Sequence, residues 1–104
     1  MSPKKPGSPK ESRGESDGWG KWIGQVVVVD TNSSYVYLGT LAGVADHFVM
    51  LNDVDAHDRS EGSSTKEKYV MEAKRFGVKA NRKEVSVRKA VIVSLSRLED
   101  VITY

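Results

Sequence analysis

The chain contains five short segments that are rich in β-branched and aromatic residues. Residues of these types favour strands, and the short lengths argue against helices. The segments are residues 23–30, 35–45, 48–54, 84–88 and 90–96. The third is expected to continue outward through Asp55 and His57. The pattern therefore predicts five strands.

A helical pattern interrupts the predicted strands between the third and the fourth. Its apolar positions share one helical face and are Tyr69, Ala73 and Phe76. Ser64 and Glu67 have the spacing of a capping box, in which a serine cap is followed three residues later by a glutamate. Gly77 is a natural helix stop. We predict a helix over residues 65–76, within an insertion that spans residues 64–77.

Gly39 lies midway along the second predicted strand, where a side chain would block a sharp bend. Five short strands, tight turns and one helical insertion favour a small, strongly bent barrel. An OB-fold also has five strands with a helix between its third and fourth, so periodicity alone leaves both folds open.

Composition indicates one folded domain in the 104 residues. Residues 1–18 contain all three prolines and no Ala, Val, Ile or Leu, so we expect a disordered, mildly basic tail and a folded domain over residues 19–104. There is no cysteine, which excludes disulfides and thiolate metal sites. No apolar run approaches the roughly 18 residues of a membrane span, and the N-terminus lacks a signal-peptide core. We expect a soluble, cytoplasmic protein.

Charge is distributed unevenly, although the net charge is only +2. Residues 66–89 carry nine basic and three acidic side chains, whereas residues 30–61 carry six acidic side chains and one basic, Arg59. This polarity suits an anionic partner or head-to-tail self-association. Composition leaves both open.

One segment resembles the first half of the Sm motif, in which a glycine and an aliphatic residue precede an Asp-x-aromatic sequence and an apolar strand. The matching residues are Gly39, Leu41, Asp46, His47 and Phe48, followed by the apolar residues 49–51. The run DHFVML is also similar to the corresponding stretch of the bacterial Sm-like RNA chaperone Hfq.

A second segment resembles the other half of the motif, a basic residue between two apolar strands. Arg88 is the basic residue, and Lys89 stands where the motif usually has glycine. The two halves cover residues 22–58 and 84–98. On these matches the chain is identified as a divergent, bacterial or viral-type member of the Sm-like (LSm/Hfq-type) family with a helical insertion.

The resemblance implies a mainly β fold: a small, five-stranded, strongly bent antiparallel Sm-like (SH3-like) barrel with a helix inserted between the third and fourth strands. It also implies a homo-oligomeric ring of five to seven subunits that pair their edge strands. Valine-rich edges such as residues 91–93 need such covering, since an open edge is a template for aggregation.

The resemblance further implies single-stranded RNA as a partner. In members of the family that bind RNA, a base stacks on the aromatic residue of the first half and is held by the basic residue of the second. Carried across, Phe48 stacks and Arg88 clamps, with His47 and Lys89 beside them. Met50 stands where many members have an asparagine that reads the base, so little sequence preference is expected.

The basic helix offers a second surface. Its cations are Lys66, Lys68, Lys74 and Arg75. Of these, Lys74 and Arg75 are our candidate RNA contacts, on a path that continues across one face of the ring. The alternative is that the helix docks on the acidic segment, residues 53–61, of a neighbouring subunit. Only the alternative predicts that high salt dissociates the ring without RNA.

The candidate site residues also have structural interpretations. Phe48 begins an apolar strand and is typical of a core residue, while Arg88 and Lys89 are typical of a solvated turn or an inter-subunit salt bridge. Trp19 and Trp22 are predicted to plug the open end of the core. Stacking on nucleic acid and packing on a neighbouring subunit are the alternatives.

Asp53, Asp55 and His57 alternate along the third predicted strand, so they are expected to share one face. Such a set suits a metal ion, but charges that protect an exposed edge from aggregation explain it as well. No metal and no other cofactor is predicted.

Three functions follow in order of preference. The first is a ring that binds single-stranded RNA with little sequence specificity, of the RNA-chaperone or RNA-metabolism type. The second is an oligomeric protein-assembly scaffold that has lost the RNA pocket, and the third is an OB-type monomer that binds single strands. The sequence has no phosphate-cradling glycine loop and no nucleophile set around its two histidines, so an enzyme is not expected.

Overall fold

Five antiparallel strands form a single sheet in the computed structural model, which describes residues 18–58 and 65–103. They are β1 (Val26–Thr31), β2 (Tyr35–Val44), β3 (Phe48–Asp58), β4 (Arg82–Arg88) and β5 (Ile92–Arg97). The order across the sheet is β4-β3-β2-β1-β5, so β4 and β5 are its two edges. The five predicted strands are confirmed, with ends that differ by up to three residues.

Helix α1 (Lys66–Phe76) lies between β3 and β4, as predicted. Its cap is Thr65, whose hydroxyl accepts a hydrogen bond from the backbone N–H of Lys68 at 3.1 Å. The prediction of Ser64 as the cap was therefore wrong by one residue, and Ser64 itself lies outside the described residues. Gly77 ends the helix with a φ of 94°, and its N–H donates to the carbonyl of Ala73 at 2.8 Å.

Short 3₁₀ turns flank the strands at Gly20–Trp22, Lys89–Val91 and Leu98–Asp100. The predicted N-terminal tail lies outside the described residues apart from Gly18. Within residues 18–58 and 65–103, no helix is both long enough and apolar enough to cross a membrane.

The sheet is buried on both faces along β1, which explains its unbroken run of valines. Side chains on one face form the inner core: Val27, Val29, Leu41, Val49, Leu51, Val54, Val87 and Leu95. Val28, Val36 and Leu38 point to the other face, where Ala73 of α1 covers them. Successive strand residues point to opposite faces, so a stretch that is covered on both faces is apolar at consecutive positions. The inserted helix is thus part of the fold and not only a lengthened loop.

Tyr69 of α1 makes two side-chain contacts with β3. Its ring stacks on His57, with centroids 3.9 Å apart and planes 8° from parallel, and its hydroxyl donates to the carboxylate of Asp55. Burial raises the pKa of Tyr69, and the hydrogen bond to Asp55 raises it further. The phenol therefore keeps its proton at neutral pH. Asn81, which precedes β4, donates to the other oxygen of Asp55 at 3.2 Å.

Gly39 lies at a β-bulge between β2 and β3. The register shifts between Leu38 and Thr40, where two residues of β3, Asp53 and Val54, stand opposite the single glycine. A Cβ on Gly39 would lie 3.0 Å from both the carbonyl oxygen of Asn52 and Cγ2 of Val54. Such a bulge bends the strand and increases its twist. The predicted need for glycine at this position is confirmed.

We expect Gly39→Ala to lower the free energy of unfolding by about 1–3 kcal/mol, because the added methyl group is forced against the β3 backbone. Urea denaturation at a fixed protein concentration measures the change. Gly43→Ala is the matched control: a Cβ there meets only the flexible methyl end of Met50, at 3.0 Å. Equal losses in the two variants would contradict the role assigned to Gly39.

Candidate nucleic-acid interface

Four of the six predicted site residues meet at one end of the sheet. The antiparallel pairing of β3 with β4 puts Phe48, the first residue of β3, opposite Arg88, the last residue of β4. The turns beyond them are also joined, since the N–H of Lys89 donates to the carbonyl of His47 at 2.8 Å. Two segments that are forty residues apart in the sequence thus form one cluster.

Phe48 and Arg88 form an exposed aromatic–cation pair. The side chain of Val49 is fully buried, and alternation along β3 turns Phe48 outward, where it is 37% exposed. The guanidinium carbon of Arg88 lies 5.3 Å from the centroid of the Phe48 ring. This is within the range of a cation–π contact, which is weak at exposed sites. The alternative of Phe48 as a core residue does not match this exposure.

Lys89 connects the cluster to the N-terminal 3₁₀ turn. Its ammonium group lies 6.0 Å from the centroid of the Trp19 ring. Trp19 and Trp22 are half-buried and pack against the inner core, as predicted for residues that close its open end. The ammonium of Lys21 lies 5.3 Å from the Trp22 ring.

The two helical candidates lie elsewhere. The ammonium of Lys74 donates to the carbonyl of Glu99, in the 3₁₀ turn after β5. It also lines a groove with Gln25, Val26 and Leu98. Arg75 is exposed in the last turn of α1. The contacts of Lys74 are therefore with the residues around β1 and the turn after β5, and not with Phe48 or Arg88.

Lys66, at the start of α1, is held within its own subunit. Its ammonium lies 2.5 Å from the carboxylate of Asp30, and it donates to the carbonyls of Thr31 and Ser33 at 3.2 and 3.1 Å. These bonds fix the N-terminal end of the helix to the turn after β1. This cation stabilises helix docking.

Met50 follows Phe48 on the same face of β3 and pairs with Ser86 of β4. Its methyl group lies over Gly43 of β2. A thioether is only a weak hydrogen-bond acceptor, so this position offers little to a base edge.

The expectation that Asp53, Asp55 and His57 share one strand face is wrong. Asp53 lies in the bulge opposite Gly39 with a φ of 52°, which breaks the alternation before Asp55. Asp55 accepts a hydrogen bond from the hydroxyl of Tyr69, and His57 stacks on the Tyr69 ring. Within the described ranges, no three His, Cys, Asp or Glu side chains are grouped so that they could hold a metal ion.

Comparisons with known proteins identify the fold. No protein-family model matches the sequence, and no curated protein matches it. The Sm protein of Pyrococcus abyssii, solved in complex with a uridine heptamer, matches with a TM-score of 0.54 and 17% identity, over 79% of this chain and 94% of that chain. The P. aerophilum SmAP1 heptamer matches with a TM-score of 0.50 and 15% identity, over 81% and 92%.

A chain of the NatC complex bound to CoA has a TM-score of 0.49 and 18% identity, over 73% of this chain and 78% of that chain. On the likeness to the two archaeal Sm proteins, this chain has the Sm-like fold, as its two motif halves predicted. The structural likeness therefore favours the Sm-like fold over the OB-fold, which periodicity had left open.

Proposed function

We propose that this chain forms a homo-oligomeric ring that binds single-stranded RNA with little sequence preference, in an RNA-chaperone or RNA-metabolism role. The observation that carries the proposal is the Phe48–Arg88 pair, an exposed ring with a guanidinium 5.3 Å above it. Every base has a π-face that stacks on an aromatic side chain, with a contribution of roughly 1–3 kcal/mol per base. The guanidinium then binds phosphate through charge-assisted hydrogen bonds.

The low sequence preference follows from Met50. With an apolar side chain at this position, affinity rests on stacking and on attraction between cations and phosphates. Both are available with every base, and differences in stacking strength give only modest preferences. His47 and Lys89, which are joined by a hydrogen bond beyond the pair, are proposed as further contacts. Lys74 and Arg75 are proposed as contacts only for an RNA that is long enough to reach α1.

The ring is proposed from the two edges of the sheet. Among the described residues, neither the outer side of β4 nor that of β5 pairs with another strand, and Val93 of β5 is 61% exposed. Pairing β4 of one subunit with β5 of the next covers both edges, and a rotation that closes gives a ring. The number of five to seven copies is proposed from the resemblance to the Sm-like family. The heptameric state of the P. aerophilum protein supports this arrangement.

Fluorescence anisotropy of labelled U-rich and A-rich oligoribonucleotides across a salt series tests the proposal. We expect both to bind with affinities within about tenfold of each other. The logarithm of the binding constant should fall linearly with the logarithm of the salt concentration, with a slope of about −0.7 for each phosphate contact. An absence of binding at low salt would refute RNA as the ligand.

The second candidate function is a protein-assembly scaffold with the RNA pocket lost, and Met50 is the observation that favours it. Mass measurement beside the anisotropy series separates the two candidates. A ring-sized mass without RNA binding supports the scaffold, whereas RNA binding by the ring supports the first proposal.

A further inference from the structure

A second aromatic–cation pair is connected to the Phe48–Arg88 pair through the backbone of Arg88 and Lys89. The ammonium of Lys89 lies 6.0 Å from the Trp19 ring, and the backbone N–H of the same lysine is bonded to His47. Arg88 and Lys89 are consecutive, so their Cα atoms are about 3.8 Å apart. The two pairs are therefore anchored at neighbouring residues of the chain, although Trp19 is far from both strands in the sequence.

We propose that Trp19 is a second base-stacking position, which binds the nucleotide next to the one on Phe48. The base takes the place of the Lys89 ammonium on the indole ring, and the ammonium moves to the adjoining phosphate. This inference rests on the proposed function and extends it from one nucleotide per subunit to two.

Replacement of the Lys89 ammonium by a base on the Trp19 ring is favourable for two reasons. At a site open to water, a cation–π contact stabilises less than a base stacked on an aromatic ring. The displaced ammonium also gains a charge-assisted bond to a phosphate oxygen. Trp19 is suited to this role because it already packs against the inner core, so stacking requires little further ordering of its side chain.

Trp22, the last residue of the 3₁₀ turn that Trp19 precedes, provides a matched control. It also packs against the inner core, but the cation over its ring is Lys21, its neighbour in the sequence, and not a residue of the β4–β5 turn. The chain has two tryptophans, so replacing either one leaves a single indole to report.

Indole fluorescence in single-tryptophan variants gives the direct test. In the full chain with Trp22→Phe, Trp19 is the only indole that emits. We expect uridine oligomers to quench this indole emission over the concentration range in which anisotropy reports binding. In Trp19→Phe, the emission of Trp22 should stay constant. Unchanged Trp19 emission at RNA concentrations that saturate the anisotropy signal would overturn the proposal.

Affinity gives the second test. Trp19→Leu keeps an apolar side chain against the core but removes the stacking surface, so we expect about tenfold weaker binding with an unchanged salt slope. Lys89→Gln should instead make the salt slope shallower by about 0.7 for the lost phosphate contact. Trp22→Leu should bind like the wild type, and thermal melting checks that each variant folds.

The outcomes separate this proposal from the one on which it rests. If Phe48→Ala weakens binding while Trp19→Leu binds as tightly as the wild type, Trp19 is only a plug for the core and the RNA function stands. If the wild type binds no RNA, both proposals are overturned. Quenching of Trp19 together with weaker binding by Trp19→Leu supports both.

Discussion

The Phe48→Ala variant is expected to bind a uridine heptamer about a hundredfold more weakly than the wild type. Removing one stacking platform costs roughly 1–3 kcal/mol per base, and every subunit of a ring carries the substitution. An oligonucleotide that reaches two subunits, at about 1.4 kcal/mol for each base, therefore loses about 2.8 kcal/mol, which is about a hundredfold in affinity because about 1.4 kcal/mol corresponds to tenfold. Anisotropy at constant salt measures the loss. Phe48 is 37% exposed, so the fold should survive the change.

The chain offers matched controls for this prediction. Phe76, at the end of α1, is 76% exposed, so Phe76→Ala makes the same substitution away from the Phe48–Arg88 pair. For the cation, Arg88→Gln should weaken binding and flatten the salt slope, whereas Arg82→Gln, at the far end of β4, should do neither. If Phe48→Ala and Phe76→Ala bind equally well, the stacking site does not lie on Phe48.

The order of the elements could be predicted because local patterns specify it. Valine-rich segments and the apolar face of Tyr69 and Ala73 gave five strands and a helix between the third and fourth, and Gly39 marked the bend. The predicted ends of the strands were less accurate than their order. The predicted first strand began at residue 23, but β1 begins at Val26, since Gly24 has a φ of 94° and belongs to the preceding turn.

The cluster around Phe48 was predictable through the resemblance, because both motif halves are short and nearly continuous in the sequence. Contacts between segments that are distant in the sequence could not be predicted in this way. Nothing local links Trp19 to Lys89, or Tyr69 to Asp55, since these pairs form only when α1 and the 3₁₀ turn dock on the sheet. The bulge at Asp53 was also missed, because period-two alternation assumes an unbroken ladder and a bulge adds one residue.

The second large effect concerns assembly. Val93→Lys is expected to reduce the mass in solution from that of the proposed ring, five to seven times 11.5 kDa, to that of a single chain. Val93 lies on the edge strand β5 and is 61% exposed in the single subunit. A lysine at such an edge opposes the addition of a further strand, because its charge would be buried between subunits. Light scattering coupled to size exclusion measures the mass.

Phe76→Lys is the control for this change, because it places the same charge on a more exposed apolar residue that belongs to no strand. It should keep the ring mass, and a ring-sized Val93→Lys variant would show that β5 is not the assembly edge.

Assembly and RNA binding are also linked. A ring presents several Phe48–Arg88 pairs to one oligonucleotide, so a monomeric Val93→Lys variant should bind a uridine heptamer at least about a hundredfold more weakly through the loss of multivalency. A monomer that binds the heptamer as tightly as the wild type would place the whole RNA site within one subunit.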